Sequence, residues 1–333
     1  MAKSALVCGA GGFIGGHLVQ RLKHDGLWVR GVDLKFHEFS QTQADDFVVG
    51  DLRDQGFCRG IVDRRFDEVY QLAADMGGAG YIFTGEHDAD LMHNSATINL
   101  NVLDACYKRQ IKKIFYSSSA CMYPAYNQGD PLNPQCAENS AYPAAPDSEY
   151  GWEKLFSERM CRHFSEDFGL RTKVARFHNV YGPFGTWDGG REKAPAAICR
   201  KVIAAKLSGT HEIEIWGDGH QTRSFMYIDD CIEGIDRIVD SNIREPINLG
   251  SSEMVSINQL VDIVEDIGGI KLKRVYNLGA PKGVNGRNSD NALIRKYLGW
   301  EPGISLRRGL ETTYAWIFDQ MKADSRHALG AAQ

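Results

Sequence analysis

Tyr150 and Lys154 stand four residues apart in the run Tyr150-Gly151-Trp152-Glu153-Lys154. In a helix that spacing sends both side chains off one face, so a phenol and an ammonium reach the same ligand. A neighbouring positive charge draws a phenol's pKa down from about 10 toward neutrality. The phenolate then takes the proton of a hydroxyl while hydride leaves the carbon that carries it. A hydride acceptor is implied by Gly9-Ala10-Gly11-Gly12-Phe13-Ile14-Gly15, which follows an apolar run and opens an amphipathic one. Glycines at 9, 12 and 15 supply a tight turn, close approach of backbone N–H groups to a pyrophosphate, and close helix-to-strand packing. The helix N-terminus adds its partial positive charge. With Phe13 and Ile14 these glycines form the expected dinucleotide cradle. Asp33 ends the next strand-like run, where a carboxylate accepts hydrogen bonds from ribose hydroxyls, which favours NAD over NADP. Asp51-Leu52, after the third run, is the expected adenine contact, with a helix N-cap as the alternative for Asp51.

These groups need a frame to hold them. Up to about residue 120 short apolar runs alternate with longer amphipathic stretches, the pattern of βαβ units in a parallel sheet. Strands are expected at Ala5 to Cys8, Trp28 to Asp33, Asp46 to Gly50, Glu68 to Leu72, Ile114 to Ser118 and Lys173 to Arg176. Helices are expected over 13–24, with Ile14, Leu18, Val19 and Leu22 on one face, and over 93–108, with Ile98, Val102 and Leu103. Beyond Arg176 the texture changes to loops dense in glycine and aromatics, which lie over sites more often than inside cores. The expected architecture is α/β, a Rossmann-type doubly wound parallel sheet with a smaller C-terminal substrate-binding lobe. Residues 1–180 and a return segment 222–250 form the NAD-binding domain, and 181–221 with 251–325 form the lobe. The last dozen residues look frayed.

Composition narrows the ligand. The formal net charge is −5, with no long run of one sign, so the basic stripe that nucleic acid demands is missing. No leader-like start and no apolar stretch of about 18 residues is present, so a cytoplasmic protein with no membrane partner is expected. Eight cysteines without a C-x-x-C pair argue against zinc sites and a disulfide framework. Most read as small buried hydrophobes, and no metal is expected. A small-molecule ligand remains.

Longer motifs sharpen this. Ala73-Ala74-Asp75-Met76-Gly77-Gly78, Ser117-Ser118-Ser119-Ala120-Cys121-Met122-Tyr123-Pro124, Arg176-Phe177-His178-Asn179-Val180-Tyr181-Gly182-Pro183, Gly190-Arg191-Glu192-Lys193-Ala194-Pro195, Trp216-Gly217-Asp218-Gly219-His220-Gln221-Thr222-Arg223 and Gly286-Arg287-Asn288-Ser289-Asp290-Asn291 span most of the chain. Together with the glycine and tyrosine–lysine motifs they resemble the extended short-chain dehydrogenase/reductase family that acts on nucleotide sugars, in its branch of GDP-hexose epimerases. The resemblance implies that Ser119, Tyr150 and Lys154 handle oxidation and re-reduction at C4 of the sugar, with Ala73 on the NAD side. It implies that Cys121 and Lys193 are the acid/base pair. A ketone at C4 acidifies the C–H bonds at C3 and C5, because the anion delocalises as an enolate, and inversion needs a base on one face and an acid on the other. A thiol and a buried lysine both exchange protons near neutral pH. Substrate contacts are implied at Gly78, Ser119, Ala120, Cys121, Asn179, Glu192, Lys193, Lys201, Gln221, Arg223 and Arg287, the cationic ones suiting a diphosphate. A homodimer is implied too.

The same family includes nucleotide-sugar 4-epimerases and 4,6-dehydratases. A 4,6-dehydratase carries an Asp-Glu pair after the strand, and Ser119-Ala120-Cys121 offers neither acid. A 4-epimerase has no need of a second acid/base pair. Trp216 fits either stacking on the base or filling the lobe. Ala79 stands where the family pattern has a methionine, on the loop expected to line the sugar, and 126–146 is expected on the surface.

Overall fold

The computed structural model describes residues 2–330. Seven strands form one parallel sheet: β1 Ser4–Cys8, β2 Trp28–Asp33, β3 Asp46–Val49, β4 Glu68–Gln71, β5 Lys113–Ser119, β6 Arg171–Phe177 and β7 Ile247–Leu249. Their order is β7-β6-β5-β4-β1-β2-β3. Adjacent residues of each strand feed different cores. Ala5 and Val7 of β1 join one apolar cluster with Leu18, Val19 and Leu22 of helix α1 (Phe13–His24). Leu6 and Cys8 join another with Val102 and Leu103 of helix α2 (Asp88–Lys108). Both faces being covered, the strands read as near-continuous apolar runs rather than alternating ones. Each fully buried Leu or Val adds roughly 1.5–3 kcal/mol of transfer free energy, so a charge at Leu18 would break the α1 contact.

The order reverses at β1, which pairs with β2 on one side and β4 on the other. Connections that leave opposite faces part there and open a crevice at the carboxyl ends of the strands. Helix α3 (Glu149–Phe168) begins where the Ser148 hydroxyl accepts from the N–H of Gly151 at 3.3 Å, and ends on Gly169 in the left-handed region, the usual glycine stop.

The smaller lobe is built from helix α4 (Ala194–Ser208), helices Ile257–Gly268 and Leu306–Gly330, and two small sheets. One sheet sets Thr222–Ser224 between Met254–Ser256 and Gly286–Arg287, and the other pairs Glu212–Trp216 with Lys273–Asn277. Between these pieces the chain passes back through helix Ile228–Asp240 to β7, which lies beside β6. All eight cysteines are buried and free.

The final helix is Leu306–Gly330, and 331–333, part of the dozen residues expected to fray, lie outside the residues described. One expectation is corrected. Segment 126–146 is not all surface: Tyr126, Leu132 and Tyr142 are exposed, but Gln128, Cys136 and Ala141 are buried. The carbonyls of Cys136 and Glu138 accept from Asn248 and Arg176. Hydrogen bonding to buried polar groups drew the segment inward, which hydropathy does not reveal.

Candidate active site

The cofactor groove begins at the β1 turn. Gly9 has φ +86°, and a Cβ there would lie 2.8 Å from the Ala73 nitrogen, while one on Gly15 would lie 2.0 Å from the Gly9 carbonyl oxygen. Only hydrogen fits at either, so α1 can rest on the turn and its amides stay open to an anion. The Asp33 carboxylate accepts from the N–H of Gly11 at 3.0 Å and of Leu34 at 2.7 Å. Those contacts aim it across the turn and leave lone pairs for ribose hydroxyls. Burial raises its pKa, and the backbone donors hold it back. Gly9, Gly12, Phe13, Ile14, Gly15, Asp33, Ala73, Ser119, Ala120, Tyr150 and Lys154 line one groove of about 290 Å³. Glycine cradle, aimed carboxylate and groove together fit a dinucleotide. Asp51 and Leu52 do not line it: Asp51 is ion-paired to Arg53 at 2.7 Å and Leu52 is buried. Asp54, not Asp51, caps the helix that follows.

β5 ends at Ser119, whose hydroxyl accepts from the N–H of Cys121 at 3.2 Å and so closes the turn Ala120–Met122. Gly151 brings α3 against this turn, since a Cβ there would sit 2.2 Å from the Cys121 carbonyl oxygen. Tyr150, Lys154 and Cys121 therefore converge, and all three are buried. The electrostatics differ from the sequence expectation. Burial pushes the Tyr150 phenol well above its ordinary pKa, outweighing the hydrogen bond with Ser119 and the charge of Arg287. Lys154 donates to the Ser117 carbonyl at 2.9 Å, lies 5.5 Å from the Tyr150 ring centre, and is itself lowered by burial. Desolvation therefore dominates at the phenol.

A second cavity of about 530 Å³ lies under the smaller lobe, in the size range of small-ligand sites. Gly78, Cys121, Asn179, Glu192, Lys193, Lys201, Gln221, Arg223 and Arg287 line it. Cys121, Asn179, Lys193 and Arg287 line both spaces and mark the junction between them. The Lys193 ammonium donates to the Gly77 carbonyl at 3.1 Å rather than to a carboxylate, and burial lowers its pKa. Gly78 admits the neighbouring loop, because a Cβ there would be 2.3 Å from the Glu192 carbonyl oxygen.

The Arg287 guanidinium donates to Gln128 Oε1 at 2.5 Å, Cys121 Sγ at 3.1 Å and Asp147 Oδ2 at 3.0 Å. Burial opposes its charge, but the Cys121 sulfur and the Asp147 carboxylate outweigh that and raise its pKa. Arg223 gives its N–H groups to the carbonyls of Thr222, Lys282 and Val284. Burial and then the charge of Arg287 lower it to about 10. Asn179, at φ +45°, donates to the Ser224 carbonyl. Gln221 donates to the Trp216 carbonyl and leaves its own oxygen buried without a partner. Glu192 braces the loop through Arg200 and the Gly190 N–H, and Lys201 is engaged by Glu214. Trp216 lies 37% exposed on the cavity wall, so it does not fill the lobe's core.

Sequence reasoning missed Gly11, Gln128, Asp147 and Gly151. None sits in a periodic pattern, and each matters through one contact with a residue distant in the chain.

Fold, cradle and tyrosine–lysine helix define an NAD-using enzyme of sugar chemistry, and the chain belongs to the NAD dependent epimerase/dehydratase family, whose profile matches residues 5–250. It is 45% identical to the GDP-mannose 3,5-epimerase of Arabidopsis thaliana over 320 residues, 96% of this chain and 83% of that protein. It is 44% identical to GDP-mannose 3,5-epimerase 1 of Oryza sativa subsp. indica over 328 residues, 98% of this chain and 84% of that protein. Among solved structures it resembles the UDP-glucose 4-epimerase of Thermotoga maritima with UDP-glucose, at TM-score 0.85 and 26% identity, covering 96% of this chain and 99% of that one. Among the described residues no cluster suited to a metal ion occurs, and no helix is long and apolar enough to cross a membrane.

Proposed function

We propose that the protein is a GDP-mannose 3,5-epimerase, converting GDP-D-mannose to GDP-L-galactose with GDP-L-gulose as the C5 product. The observation that carries this is the junction itself: a thiol, Cys121, and a burial-lowered lysine, Lys193, line both the cofactor groove and the substrate cavity. A simple 4-epimerase has no use for that pair. The glycine turn and Asp33 would hold NAD, which would supply hydride acceptance and return at C4 without net consumption.

Tyr150, hydrogen-bonded through Ser119 and flanked by Lys154, takes and returns the proton of the C4 hydroxyl. Cys121 and Lys193 exchange protons at C3 and C5 while the sugar is a 4-ketone. Arg287, fixed against Cys121, orients the sulfur, and Arg223 adds a cation for the diphosphate. Asn179, Gln221, Glu192 and Lys201 shape the rest of the cavity, with Gly78 leaving it room. The enzyme works in the cytoplasm as a homodimer. Exposed Leu100 and Tyr107 of α2 and Trp152 and Phe156 of α3, on helices packed side by side, support the dimer.

The test is incubation with GDP-mannose in heavy water, followed by NMR of the sugar ring. Deuterium at C5 and C3 with formation of GDP-L-galactose is expected. Inversion at C4 without exchange would identify a 4-epimerase instead.

A further inference from the structure

We propose that Arg191 is a positioning residue: laid on Tyr81 and paired with Asp75, it clamps the loop that ends at Lys193 onto the loop that follows β4, and so sets the Lys193 ammonium in the substrate cavity. The proposal rests on the acid/base role given to Lys193 above.

The clamp is built from both sides. The Arg191 guanidinium carbon lies 3.9 Å from the centre of the Tyr81 ring, and its Nη1 lies 3.7 Å from Asp75 Oδ1. Neither partner is free to follow it. His87 stacks on Tyr81 with ring centres 4.3 Å apart, and the Tyr81 hydroxyl donates to Asp75 Oδ1 at 3.0 Å. Asn94 of α2 donates to Asp75 Oδ2 at 2.9 Å, and the Asp75 N–H donates to Ser95 Oγ at 3.1 Å. Arg191 thus grips a ring and a carboxylate already fixed to the sheet domain.

The gripping loop needs such an anchor. Gly189 and Gly190 precede Arg191 with φ of +89° and +87°, and nothing lies within 4 Å of a Cβ on either. A glycine pair in open space has the most backbone freedom a chain can have. Beyond them, Lys193 is the N-cap of α4 and has no side-chain capping bond. Its ammonium depends on the Gly77 carbonyl, and the Glu192 carbonyl abuts Gly78. Both contacts lie in the stretch between Asp75 and Tyr81, so the residues that Arg191 grips bracket the residues that Lys193 needs. Arg191 itself lines the cofactor groove and not the substrate cavity. Its link to the Lys193 ammonium is the loop the two residues share and the stretch from Asp75 to Tyr81 that both contact.

The experiment compares wild type, R191A, R191K and Y81L as holoenzymes. At saturating GDP-mannose in heavy water, R191A is expected to lower the exchange rate per bound NAD about five-fold, the size of a lost exposed cation–π contact, with KM within two-fold of wild type. R191K keeps a cation over the ring and recovers most of the rate. Y81L lowers the rate similarly, and R191A/Y81L is no worse than either alone, as for one shared contact. Amide hydrogen exchange without substrate rises over 189–193 in R191A. Exchange at the wild-type rate in R191A, or a change in KM or NAD content alone, overturns the proposal. If wild type catalyses no exchange, the functional reading fails, while the amide data still report whether the clamp exists.

Discussion

Arg287 donates to the sulfur of Cys121 at 3.1 Å while Asp147 and Gln128 hold its other two edges. The buried arginine, shared between the sulfur and a carboxylate, orients the sulfur without immobilising it as a disulfide or a metal bond would. Cys121 also faces both cavities, whereas the other seven cysteines are packed in cores. Iodoacetamide should therefore label Cys121 first and abolish activity in parallel. Peptide mapping by mass spectrometry checks this, and excess GDP-mannose should protect. C121A should lose at least 100-fold in rate, the usual scale for a lost acid/base group, while retaining NAD.

Lys193 gives a pH dependence with a definite sign. Burial lowers its pKa below 10.5, so between the lowered value and 10.5 the unfolded chain binds the proton more tightly than the folded one. Stability from this residue consequently rises with pH across that window. K193M should melt above wild type at pH 7, and the difference should shrink as pH approaches 10.5. Calorimetry of both proteins across pH 7–10 reads it; a gap that widens with pH would contradict the assignment.

The glycine turn predicts a contrast between two alanine substitutions. G15A places a methyl group 2.0 Å from the Gly9 carbonyl oxygen and must push α1 off the turn. Gly60 lies in a short helix with nothing within 4 Å of a Cβ. G60A should be neutral or more stable by about 0.4–1 kcal/mol, with full NAD content. G15A should be purified with less than about a tenth of the wild-type NAD, measured after acid release, as befits a displaced pyrophosphate cradle.

The proposed dimer would rest on one stripe of side chains. W152E/F156E puts two charges into the exposed face of α3, and buried unpaired charge is costly enough to break an interface. Light scattering should report a monomer near 37.1 kDa, against twice that for wild type; a wild-type monomer would end the assignment.

How much was legible in the sequence follows from how each feature is encoded. Strand β2 and helix α1 have the bounds read from the apolar pattern, because a buried sheet and an amphipathic helix write their geometry into neighbouring residues. The glycine cradle was likewise legible, since only glycine fits there. The sequence by itself determined the α/β class, the cofactor turn and the residue types available for proton transfer. Tertiary structure alone decided that burial raises the Tyr150 pKa, that Asp51 pairs with Arg53, and that Gln128 and Asp147 steer Arg287 onto Cys121. Those outcomes depend on desolvation and on hydrogen bonds between residues as far apart as 128 and 287. Neither leaves a trace in local periodicity, because burial and long-range pairing exist only once the chain has closed on itself.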